Sequence, residues 1–219
     1  MNEFSQLNLF AFPIYKIRID PTSYDKEKIV EDIKYNKNLK RSACTYVSGF
    51  GTDFKQDSFE KVYDDVTFRS INFDKLNVEY TKVFNKFFNE KVFTKKSFKW
   101  ELDIRSYSAI IEGQRIGSHN HLVRDSFSTC HYVNFKEEHV FTRFNNPAIF
   151  SSFTKYLQES TINFLDLGAP DNSYLLEDFI MPSQEDDMII FPSTLNHEVV
   201  EQGPTKEPRI TISTNIEIK

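Results

Sequence analysis

Hydrophobic positions change their spacing several times along the chain, and each change marks an element. Phe10, Phe12, Ile14, Ile17 and Ile19 alternate with other residues around Pro13 and Pro21, which predicts an opening strand. Residues 25–39 then carry Ile29, Val30 and Ile33 at near-helical spacing with acids early, an order that suits the helix dipole. A second predicted helix is capped by Asp74 and lines Leu76, Tyr80, Val83, Phe84, Phe87 and Phe88 along one face. From Ser97 the period becomes two: Trp100, Leu102 and Ile104, then Tyr107, Ala109 and Ile111, then Phe127, Thr129, His131, Val133 and Phe135. The closing pair is the clearest, with a short apolar strand from Met188 to Pro192 and alternation of Ile210, Ile212, Thr214, Ile216 and Ile218. Residues 150–167, between the alternating run that ends at Phe135 and the strand that starts at Met188, predict a short helix or a covering loop. The order is α+β: N-terminal helices, then about eight short strands closing as a double-sheet jelly roll.

Composition supports that reading and narrows the function. The 22 Phe and 10 Tyr, against 3 Met and 1 Trp, fit pleated, half-buried surfaces. With only 6 Gly and 8 Pro there is no low-complexity linker, and no repeat or boundary divides the chain. We expect one domain over residues 1–219, with 1–96 the strand and supporting helices and 97–219 the β core. The net charge of −5 offers no global basic field for phosphate backbones, so nucleic acid is not an expected partner. No run reaches the roughly 18 apolar residues of a membrane span, and Met1-Asn2-Glu3-Phe4 does not open a secretory signal; a soluble, cytoplasmic protein is expected. Cys44 and Cys130 have no metal-like spacing and are expected as reduced thiols. A Gly-rich phosphate loop, a Gly-x-Ser-x-Gly elbow and Cys-x-x-Cys are all missing, which removes support for nucleotide hydrolysis and serine-esterase chemistry. Asp186-Asp187 reads as a solvated turn and not as a hydrolytic carboxylate pair.

The histidines carry the chemical signal. Four of the five lie between positions 119 and 139. In His119-Asn120-His121 the imidazoles stand at i and i+2, so on a strand they share a face and can converge on one metal ion; in a polar loop they would simply face solvent. The fifth, His197, follows a buried strand and a turn, and Arg209 heads the final strand. Taken alone, Arg209 also reads as an exposed strand-end charge beside Glu207. His139, in Lys136-Glu137-Glu138-His139, reads as a solvated turn without a role.

Together these residues resemble the 2-oxoglutarate/Fe(II)-dependent oxygenase family often found in phage and bacterial genomes, related in fold to the aspartyl/asparaginyl β-hydroxylases. The resemblance runs through Leu9-Phe10-Ala11-Phe12-Pro13, His119-Asn120-His121, Ser128-Thr129-Cys130-His131-Tyr132-Val133, Phe191-Pro192-Ser193, His197, and Arg209-Ile210-Thr211-Ile212-Ser213-Thr214-Asn215. It implies a double-stranded β-helix and a dioxygenase, an oxidoreductase that couples oxidative decarboxylation of 2-oxoglutarate to hydroxylation of a small-molecule or peptide substrate. It implies His119 and His197 as Fe(II) ligands, with His121, Asp125 or a water in the third slot; geometry puts His121 first. Arg209 would hold the far carboxylate of 2-oxoglutarate, helped by Thr211, and the β-hydroxylase resemblance adds His131 and Ser108 to the cosubstrate contacts. Two other readings stay open. A cupin-type metalloenzyme without 2-oxoglutarate fits Gly113, His119, His121 and Asp125 as a first motif. A non-catalytic binding or structural jelly roll needs no metal at all. Residues 140–178 and 47–66 are the expected specificity loops.

Overall fold

The computed structural model describes residues 13–38, 50–51, 69–92, 97–121, 126–147 and 178–219. Leu9 to Phe12, Cys44, Asp125, residues 150–167 and most of both expected specificity loops lie outside the described residues. The elements are β1 (Tyr15–Arg18), α1 (Lys26–Asn38), β2 (Phe50–Gly51), α2 (Asp74–Lys91), β3 (Trp100–Ile110), β4 (Ile116–His119), β5 (Phe127–Asn134), β6 (Thr142–Asn145), β7 (Asp178–Ile180), β8 (Asp187–Pro192), β9 (His197–Val199) and β10 (Arg209–Ile218).

The strands form a six-stranded sheet in the order β1-β8-β5-β10-β3-β2 and a four-stranded sheet in the order β4-β9-β6-β7. From β3 onward the pairing is nested: β3 with β10, β4 with β9, β5 with β8, β6 with β7, all antiparallel. One long ribbon of four strand pairs is thus rolled up, and the β5·β10 and β6·β9 ladders join its successive turns. That is the double-stranded β-helix, with the eight strands of the β-rich half arranged as two facing sheets. β1 and β2 extend the larger sheet at its two edges.

Both faces of the larger sheet are covered. On one side α1 and α2 bring Ile29, Ile33, Leu76, Tyr80, Phe84, Phe87 and Phe88 against Tyr107, Ala109, Val133, Met188, Ile190, Ile210, Ile212 and Ile216. On the other, Cys130, Tyr132, Ile189 and Phe191 meet Phe144 of the smaller sheet. A central strand buried on both faces reads as a continuous run, which is why β5 and β8 are almost entirely buried.

The change of phase within Trp100 to Ile111 has a cause in the ladder. Ser213 pairs with Ser106 but Thr214 pairs with Ile104, so Arg105 is the extra residue of a β-bulge. The bulge resets the alternation, and Trp100, Leu102 and Ile104 before it share the helical face with Tyr107 and Ala109 after it.

Three sequence expectations are corrected. Asp74 lies within the first turn of α2; the N-cap is Phe73, which makes no side-chain cap bond, and Asn72 Oδ1 accepts the Asp74 N–H at 2.7 Å. Asp187 is not solvated: it is 3% exposed, with Arg18 Nε 3.3 Å and Lys16 Nζ 3.8 Å from its carboxylate and the Gln184 N–H donating to it at 2.9 Å. The preceding Asp186 makes the turn, at φ 71°. His139 is also buried, its Nδ1 accepting the Lys136 N–H at 2.9 Å. Its Nε2 therefore carries the proton and donates to the Glu207 carbonyl at 2.9 Å, tying the turn after β5 to the loop that leads into β10. Neighbouring charges in sequence had concealed both burials.

Candidate metal and oxo-acid site

The smaller sheet assembles the histidines. β4 and β9 pair so that His119 stands directly opposite His197, and this register puts the two rings 4.3 Å apart between centroids. His121 lies two residues past the end of β4, not on a strand, yet it keeps to the cluster because its N–H donates to the Ser193 carbonyl at 2.8 Å. Its ring centroid is 5.3 Å from that of His119 and 5.4 Å from that of His197. One ligand atom from each of the three lies within 4.8 Å of the others, a spacing that modest ring rotations bring to metal-binding distance.

Local carbonyls fix two of the tautomers. His119 Nδ1 is 2.8 Å from the Gly117 carbonyl and His197 Nδ1 is 3.0 Å from the Leu195 carbonyl. Each carbonyl accepts an Nδ1–H, which leaves the Nε2 lone pair for a metal. Burial, with His119 alongside, pushes the His197 imidazole down to about 3, so it is neutral at physiological pH. Phe191 packs at 4.7 Å and Phe144 at 6.2 Å between ring centroids, walling His197 from below, while His119 is exposed at the mouth. The cluster therefore has a dry floor and an open side.

Arg209 of β10 reaches across to Thr142 of the smaller sheet and is 0% exposed. Its Nε–H donates to the Val140 carbonyl at 2.9 Å and Nη2 donates to Thr142 Oγ1 at 3.1 Å. The guanidinium carbon sits 5.1 Å from the centre of the Tyr132 ring. Nη1 is buried and has no hydrogen-bond partner among the described residues, and none of their carboxylates pairs with the cation. The alternative of an exposed strand-end charge is thereby removed. A buried cation with one nitrogen left without a partner among the described residues is costly, which makes Arg209 a candidate to meet an anion.

β6 relates the two parts. Thr142, which holds Arg209, and Phe144, which pairs with His197 in the ladder, are i and i+2 on one strand face. The anchor of the cation is thus one pleat repeat, about 7 Å, along the strand from the wall of the histidine cluster. Thr211 and Ser108 lie on the same sheet face as Arg209, since Ile210, Ile212, Tyr107 and Ala109 between them point to the helices. Their hydroxyls are 2.8 Å apart.

His131 belongs elsewhere. It shares the parity of Thr129 and Val133, but that parity faces the helices: His131 is 0% exposed, with Nδ1 2.8 Å from Tyr80 Oη of α2 and Tyr24 edge-on at 5.9 Å. Burial, with Lys26 nearby, pushes its imidazole down to about 3. It is a neutral core histidine on the face opposite Arg209, and the expectation that it touches the cosubstrate is corrected. The sequence reading missed Tyr132 and Thr142, the residues that do flank Arg209. Tyr132 was legible as the opposite parity of the same strand; Thr142 carried no signal, because its value lies in a pairing sixty-seven residues away.

No protein-family model matches the sequence. No curated protein matches it. Similar solved structures include a Pseudomonas putida prolyl-4-hydroxylase, with 10% identity and a TM-score of 0.49 over 95% of this chain and 92% of that one. A Trichoplax adhaerens prolyl hydroxylase in complex with a hypoxia inducible factor peptide fragment is similar at 8% identity and 0.49 over 93% and 83%. An oxidoreductase of the 2OG-Fe(II) oxygenase family from Burkholderia pseudomallei is similar at 12% and 0.42 over 68% and 60%. Each is a distant likeness in overall fold.

Proposed function

We propose that the chain is a non-haem Fe(II) oxygenase that couples oxidative decarboxylation of 2-oxoglutarate to hydroxylation of a small-molecule or peptide substrate. The observation that carries this reading is the buried Arg209, whose Nη1 has no partner among the described residues, set along β6 from three converging histidines. The residues fit both groups. Imidazole suits Fe(II), and three protein donors on one side leave positions for a bidentate oxo acid and O₂. His119, His121 and His197 would hold the metal; Arg209 would take the distal carboxylate, with the Thr211 and Ser108 hydroxyls beside it. When bound, the iron supplies the oxidation, which protein side chains cannot.

The chain's own groups bind, orient and exclude water. Arg209 keeps its plane because Nε and Nη2 are tethered, so the free Nη1 edge is aimed before any ligand arrives. Tyr132 stacks on the cation, and its hydroxyl both donates to Thr142 Oγ1 at 2.9 Å and accepts the Thr142 N–H at 3.1 Å, which holds the tether in place. Three neutral imidazoles leave a divalent ion its full charge, which favours a dianionic cosubstrate over one met by a carboxylate ligand. The buried cation also separates this reading from a cupin enzyme without 2-oxoglutarate, which has no use for it. Among the described residues no helix is long and apolar enough to cross a membrane.

The test is turnover. Purified protein with Fe(II), O₂ and 2-oxoglutarate is expected to form succinate, slowly without its substrate and faster when substrate is supplied from a metabolite and peptide panel. Iron-loaded protein that forms no succinate above the protein-free background overturns the proposal in favour of the cupin reading.

A further inference from the structure

The β4·β9 ladder stops at His119, two residues short of His121. The His121 N–H bond to the Ser193 carbonyl crosses between the two arms of the site, and so does a side-chain link: Asn120 Nδ2 donates to Asn196 Oδ1 at 2.5 Å. Asn120 stands between the two histidines of the first arm, and Asn196 immediately precedes His197. The link is braced on both sides. The Asn196 carbonyl accepts the Asn145 N–H at 2.9 Å, and Asn145 Nδ2 donates to Ser118 Oγ at 3.0 Å. The end of β4, the turn before β9 and the end of β6 are thereby closed into one ring of hydrogen bonds around the histidines.

We propose that Asn120 and Asn196 are a positioning pair that sets the separation of the His119/His121 arm from the His197 arm. Neither amide is a ligand. Their role is to hold a turn segment that no strand pairing holds, so that His121 meets the ion without first being ordered. The proposal rests on the reading of the three histidines as a metal centre. Groups that orient ligands from behind commonly change metal affinity by about 10-fold to 100-fold when removed, while a single bond between partly exposed amides contributes little to global stability.

Co(II) titration of the full chain, followed by its visible ligand-field spectrum, tests this. Asn120→Ala and Asn196→Ala are each expected to weaken Co(II) binding about 10-fold to 100-fold, with melting temperatures close to the parent's. The double variant should be no weaker than the weaker single, since both changes remove one interaction. Charge provides the control. Asn196→Asp keeps the acceptor and Asn120→Asp removes the donor, yet each adds the same negative charge beside a ligand. Charge alone raises cation affinity in both, whereas the positioning pair predicts that only Asn120→Asp loses affinity. Parental Co(II) affinity and spectrum in both alanine variants overturn the pair while leaving the metal centre intact, and so does a lowered melting temperature with unchanged affinity. A parent that takes up no Co(II) overturns the metal centre and the pair together.

Discussion

His197→Ala is expected to abolish Fe(II) binding, the largest single effect on this site, while the circular dichroism of the sheets persists. His197 is the buried member of the three histidines, with its Nδ1–H committed to Leu195 and its ring packed on Phe191. Cutting it to alanine removes one of the three proposed ligands and leaves a small void beside two aromatic rings. The void costs stability on the order of 1 to 3 kcal/mol, which a β-helix with two separate cores should survive. Binding followed by calorimetry checks the result, and unchanged Fe(II) affinity in a folded variant would remove His197 from the site. The third slot is resolved by the same assay. His121→Ala is expected to lose the metal and Asp125→Ala to keep it; the reverse outcome replaces the three-histidine centre with two histidines and a carboxylate.

Arg209→Ala is expected to weaken 2-oxoglutarate by about 2 to 5 kcal/mol, the usual cost of leaving a buried charge unpaired, while Fe(II) affinity stays near the parent value. The split follows from the geometry, because Arg209 reaches the histidine cluster only through β6 and makes no bond to any of the three rings. Arg209→Lys separates charge from shape. A lysine keeps one positive charge but cannot tether itself to Val140 and Thr142 while offering a second pair of donors, so it should recover only part of the loss. Equal 2-oxoglutarate affinity in Arg209→Ala and parent would favour the cupin reading.

Much of this was written in the sequence, and the gaps have physical causes. The period-two runs located the strands, because alternation survives wherever one face is apolar; the bulge behind the slip between Ile104 and Tyr107 shows only in the ladder. The meeting of His119 and His197 follows from the pairing of β4 with β9, whereas His121 lies past the strand and reaches the cluster through its N–H bond to Ser193, which a two-residue strand spacing does not show. Which face of β5 meets the site was not legible. Both faces are buried, so Thr129-His131-Val133 and Ser128-Cys130-Tyr132 look equally inward, and His131 was assigned to the wrong one. Asp187 and His139 failed for a related reason: each sits in a charged stretch that reads as solvent-facing, while partners far along the chain, Arg18 and Glu207, hold them inside.

We propose that a metal on the three histidines and an oxo acid on Arg209 are bound together between the two sheets. An anaerobic titration of the Fe(II)-loaded protein with 2-oxoglutarate, watched for the visible charge-transfer absorption of an iron-bound 2-oxo acid, tests this. A band that saturates at one equivalent in the parent and is lost at the same concentrations in Arg209→Ala is the predicted result; iron retained by the protein with no band at any 2-oxoglutarate concentration contradicts it.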